Sequence, residues 1–79
     1  MNRTEILAQL QAVFAEVFDD ESLAITENMV AADVDGWDSL THITLIAAVE
    51  EEFDMKFAMK DVIGMQNVGE MVDILEREA

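Results

Sequence analysis

Asp35-Gly36-Trp37-Asp38-Ser39-Leu40 places a single serine at the junction between a turn and a strongly apolar stretch. Gly36 gives the turn backbone latitude, Asp38 is the N-cap candidate and Ser39 the first helical position. With an aspartate available as cap, the Ser39 hydroxyl is free to face solvent. It lies near the positive end of a helix dipole, a place suited to a phosphate-linked group. Downstream, the spacing predicts a helix from Ser39 to about Phe53, with Leu40, Ile43, Ile46, Ala47 and Phe53 on one buried stripe that Leu45 and Val49 widen. Glu50, Glu51, Glu52 and Asp54 crowd its C-terminal end, where the macrodipole disfavours anions. A local rule broken without local gain points to docking of a partner.

Upstream, Asn2 followed by Glu5 resembles a capping box. Ile6, Leu7, Leu10, Val13, Phe14, Val17 and Phe18 recur at helical spacing, which predicts a helix from Arg3 to Phe18. The connection from Asp19 to Asp38 carries Leu23, Ile25, Met29, Val30 and Val34, expected to tuck under the helices. A short helical turn over Met59–Ile63 ends near Gly64. Asn67 and Glu70 form a second capping-box-like start, and Val68, Met71, Val72 and Leu75 form the apolar face of a last helix ending near Glu78. The expected fold is all-α: one domain over 1–79, a small four-helix bundle of three main helices and one short one. The helices are expected to pack antiparallel, with a long crossover loop between the first two.

Eighteen acidic residues against four basic ones give a formal charge of −14. That charge disfavours nucleic acid and anionic membrane surfaces as partners, keeps the chain soluble and monomeric, and favours basic patches on other proteins. Acidity alone suits disorder, but 52% of the residues are apolar, which places the chain among folded domains. No cysteine is present, so the chain has no disulfide, thiol chemistry or Cys-based metal site of its own. Neither a signal peptide nor an apolar run of membrane-spanning length is evident, so a cytoplasmic location is expected. The start at Met1 and the end at Ala79 suit a free-standing protein.

Two other chemistries fit the residues less well. His42 lies three positions after Ser39, on nearly the same helix face. Consecutive turns of one helix rarely give triad geometry, and no third member or oxyanion hole accompanies the pair, so a Ser39–His42 hydrolase is disfavoured. Asp33-Val34-Asp35 opens like a calcium-binding loop. However, Trp37 occupies the third ligand position, Asp38 the required glycine and Thr44 the closing glutamate, so no metal site is expected.

Asp38-Ser39-Leu40, preceded by Gly36-Trp37 and followed by an apolar helix ending Glu50-Glu51-Glu52-Phe53-Asp54, resembles the acyl carrier proteins. The resemblance spans the chain in length, acidity, helix order and the Asn67-Val68-Gly69-Glu70 start of the last helix. It implies a carrier and not an enzyme. Ser39, flanked by Asp38 and Leu40, would be modified from coenzyme A with 4′-phosphopantetheine, whose thiol holds an acyl or aminoacyl group as a thioester. It further implies a phosphopantetheinyl transferase and acyl-loading and acyl-transferring enzymes with basic patches as partners. Trp37, His42, Glu50 and Glu51 are then docking candidates, His42 also as a neighbour of the phosphate. Thr41 and Thr44 stand where the fatty-acid-synthesis pattern has acidic residues, which favours a specialised lipid, polyketide or secondary-metabolite route. The runner-up is an acidic helical module that binds a basic partner and is never modified.

Overall fold

Asn2 opens the first helix as the sequence predicts: its side chain accepts the Glu5 N–H at 2.8 Å while the Glu5 carboxylate takes the Asn2 N–H at 3.4 Å. In the computed structural model, which describes residues 2–78, four α-helices follow: α1 Arg3–Val17, α2 Ser39–Phe53, α3 Met59–Gly64 and α4 Val68–Glu78. Among the described residues there is no β-strand, and no helix is long and apolar enough to cross a membrane. Met1 and Ala79 lie outside this range. α1 packs against both α2 and α4. Ile6, Leu10, Val13 and Phe14 of α1 meet Leu45, Ile46, Val49 and Phe53 of α2 and Val68, Met71, Val72 and Leu75 of α4 in one core.

The buried face of α2 differs from the expected stripe. Leu45, Ile46, Val49 and Phe53 are buried, but Leu40 is 78% exposed, Ile43 is 66% exposed and Ala47 also faces solvent. At about 100° per residue, Leu40, Ile43 and Ala47 form a second apolar stripe roughly 130° round the helix from the first. The sequence pattern merges the two stripes, and α1 covers only one of them. Leu40, expected on the buried stripe, therefore does not anchor the start of α2; half-buried Trp37 does.

The long connection is pinned at several points. The Gln11 side chain donates to the Leu23 carbonyl and accepts the Ile25 N–H at 2.8 Å, which seats buried Ile25 in the core. Leu23 and Met29 pack against the core, Val34 is buried and Val30 half-buried. The free N–H groups at the start of α4 are used here too. Val68 donates to Met29 O at 2.9 Å and Gly69 to Glu27 O at 2.8 Å. Asn67 caps α4 by accepting the Glu70 N–H at 2.8 Å, but the Glu70 carboxylate takes the Gln66 N–H, so the expected box closes one residue early. Arg3 ties the same region from α1, reaching Glu27, Asp73 at 2.6 Å and Glu76 at 3.2 Å.

Gly69 is required by this close approach. A Cβ there would sit 3.0 Å from the Glu27 carbonyl oxygen, a backbone atom held by its own hydrogen bond. Gly69→Val is expected to lower stability by about 1–3 kcal/mol, as overpacking against backbone does. Urea titration checks it; a value near zero would mean that the loop moves aside freely.

Candidate functional site

The turn before α2 is built by its own side chains. Gly36 has φ +87, a left-handed conformation that glycine adopts without penalty. Asp38 caps α2 by accepting the Thr41 N–H at 2.9 Å. The Thr41 hydroxyl lies 2.6 Å from the Gly36 carbonyl and 2.8 Å from the Asp38 carboxylate, its one proton shared between two acceptors. The Thr41 backbone N–H, and then its hydroxyl, hold the Asp38 carboxyl below the usual aspartate range. The cap therefore stabilises α2 above that range and fades as pH falls through the lowered folded value.

With Asp38 occupied in capping, Ser39 is exposed, and among the described residues its hydroxyl has no hydrogen-bond partner. Trp37 stands one residue before the cap. Its ring meets Phe14 edge-on with centroids 5.3 Å apart and lies 6.1 Å from Phe18, which ties the turn to the core. On its other side Trp37 stacks on His42 at 6.0 Å and 26°, and its Nε1–H donates to His42 Nδ1 at 3.1 Å. His42 is half-buried, and it shares no hydrogen bond with Ser39. The geometry of a nucleophile–base pair is not formed.

Ser39 opens on a groove of about 600 Å³ between α2 and α3, lined among others by Trp37, His42, Ile43, Met59 and Ile63. The exposed large apolar residues Ile43, Met59 and Ile63 therefore line the groove with the serine, and exposed Leu40 follows it in the chain. Met59 and Ile63 lie one turn apart on α3, and that spacing is the signal by which the sequence could have paired them. The methionines divide: Met71 is in the core, Met29, Met55 and Met65 pack against it, and Met59 is 74% exposed.

The acidic end of α2 is less free than the sequence implies. Glu50 is half-buried and its carboxylate accepts the Phe57 N–H at 2.8 Å, which fastens the α2–α3 connection. That bond is a local gain for one of the badly placed acids. Glu51 and Glu52 are exposed, and Asp54 ends the helix in a left-handed conformation, φ 51.

Comparison with known proteins bears on the same serine. The chain is 30% identical to an acyl carrier protein of Saccharopolyspora erythraea over 94% of its own length and 78% of the relative's. It is 31% identical to one of Caulobacter vibrioides, over 91% and 92% respectively. Its fold matches the solution NMR structure of holo acyl carrier protein from Geobacter metallireducens with a TM-score of 0.85 and 38% identity, covering 91% of this chain and 83% of that one. Residues 8–75, which include Ser39, match the family described as a phosphopantetheine attachment site. The chain belongs to the acyl carrier protein family, whose members are carriers and not enzymes and bear covalently bound 4′-phosphopantetheine.

Proposed function

We propose that Ser39 receives 4′-phosphopantetheine from coenzyme A through a phosphopantetheinyl transferase, and that the chain then presents acyl or aminoacyl thioesters to partner enzymes. The observation that carries this is the exposed, unpartnered Ser39 hydroxyl at the first residue of α2, beside the groove. When bound, the group supplies the thiol that this cysteine-free chain lacks. The chain's own residues do the holding: Asp38 caps the helix so that Ser39 need not, and Trp37 fixes the turn to the core. Tethering raises the effective concentration of the cargo at each docked enzyme.

A specialised route, in lipid, polyketide or secondary-metabolite synthesis, fits the front of α2 best. Thr41, a turn lock, and Thr44, exposed, stand where acidic docking residues would, and Leu40 and Ile43 beside them present apolar surface. Glu51 is the better placed of the two acidic docking candidates, since Glu50 already holds Phe57. Such a carrier works as a soluble monomer in the cytoplasm, where the high negative charge steers it toward basic patches.

Intact mass before and after incubation with coenzyme A, Mg²⁺ and a broad-specificity transferase tests the attachment. The expected result is a single phosphopantetheine-sized gain, abolished in Ser39→Ala. A folded, initially unmodified protein that gains nothing from several transferases would refute it and leave the unmodified acidic module.

A further inference from the structure

The single tryptophan and the single histidine of this chain are bonded to each other beside Ser39. An indole N–H only donates, and a neutral imidazole has one nitrogen that donates and one that accepts. Because Trp37 Nε1–H points at Nδ1, Nδ1 carries no proton, and the ring's hydrogen is on Nε2. Among the described residues Nε2 has no partner, and His42 lines the same groove as Ser39. Helical side chains lean toward the helix N-terminus, so a residue three positions on covers the turn that begins at Ser39.

The charge around the groove makes that donor matter. None of the residues lining it is Lys or Arg, and Asp38 contributes a carboxylate. An anion carried on Ser39 therefore has no cationic side chain in the groove to meet it and must rely on neutral donors. Trp37 Nε1–H is already used, and His42 Nε2–H is the ring donor next along the helix from Ser39.

We propose that Trp37 is a positioning residue that holds His42 in the Nε2–H form, and that His42 Nε2–H donates to a phosphodiester oxygen of the arm on Ser39. The proposal rests on the attachment reading above. It makes the groove mouth a phosphate subsite served by a neutral imidazole, so the anion is oriented without a salt bridge.

The test is NMR on ¹⁵N-labelled protein before and after loading from coenzyme A, with loading verified by mass. In a chain with one histidine, the two-bond ¹H–¹⁵N pattern of the ring at alkaline pH reports its tautomer without overlap. The expected pattern is a single Nε2–H form in the unloaded protein, becoming a mixture of both tautomers in Trp37→Phe, which keeps the aromatic packing. Loading is expected to shift the Nε2 resonance. The ³¹P resonance of the loaded protein is expected to move in His42→Leu and to return in His42→Gln, whose amide restores a donor near the Nε2 position. An Nδ1–H ring in the unmodified protein would overturn the proposal, as would a fully loaded protein whose imidazole signals do not change. If Ser39 does not load, the attachment reading fails and this proposal with it; loading without an imidazole response removes this proposal alone.

Discussion

Phe14→Ala is expected to bring the domain to the edge of unfolding at room temperature. Phe14 is fully buried in α1, within the core that α2 and α4 share. Truncating a buried phenylalanine costs about 3–5 kcal/mol, the transfer term plus the cavity left behind. At about 0.05–0.15 kcal/mol per residue, the whole stability of a 79-residue chain is about 4–12 kcal/mol, so one side chain accounts for a large part of it. The loss also reaches the functional turn, because the Trp37 ring rests edge-on against Phe14 at 5.3 Å. Urea unfolding followed by circular dichroism measures the first effect, and the emission of the lone tryptophan reports the second. A cost below about 1 kcal/mol would show that the core is not organised around this ring.

Leu45→Ala and Ile43→Ala are expected to differ sharply although both lie in the middle of α2. Leu45 is fully buried, and its truncation is expected to cost about 2–5 kcal/mol. Ile43 is 66% exposed on the groove side, and its truncation is expected to change stability by less than about 0.5 kcal/mol, helped by the higher helix propensity of alanine. Functionally the order should reverse. Ile43 borders the groove beside Ser39 and is exposed apolar surface, so on the proposed function its loss is expected to slow modification or transfer while the fold stays intact. Denaturant midpoints and loading rates measured on the same two variants separate the roles. Equal destabilisation by both would mean that α2 buries the stripe the sequence pattern favours.

The helices themselves were legible because their signals are local. Asn2 with Glu5, Asp38 before Ser39, and Asn67 with Glu70 each place a polar oxygen within reach of a free N–H three residues on. All three mark helix starts that the structure contains. α1 ends one residue before the predicted Phe18, and α3 runs one residue past Ile63 into Gly64, within the usual fraying of helix ends. Ser39 was legible for the same reason: a neighbouring aspartate that caps leaves the serine free.

Misreadings arose where one residue's role depends on a distant segment. α2 has two apolar stripes, and nothing within 39–53 says which one meets α1, so the spacing puts Leu40, Ile43 and Ala47 in the core although they lie outside it. Glu50 reads as a surplus charge until the chain returns at Phe57 with an N–H to satisfy. The need for glycine at position 69 shows only once the Glu27 carbonyl is seen occupying the space of its Cβ. His42 reads as a surface residue or a poor catalytic base until Trp37 is seen bonded to its Nδ1.

Capping, periodicity and charge act within a turn or two of the chain, so the helix starts, the all-α class, the acidic character and the serine follow from residue order alone. Which face of α2 is buried, which acids are free and which nitrogen of His42 carries the proton follow from the folded arrangement instead. Each of these is set by a contact between segments, and the free energy of such a contact exists only once the chain has folded back on itself.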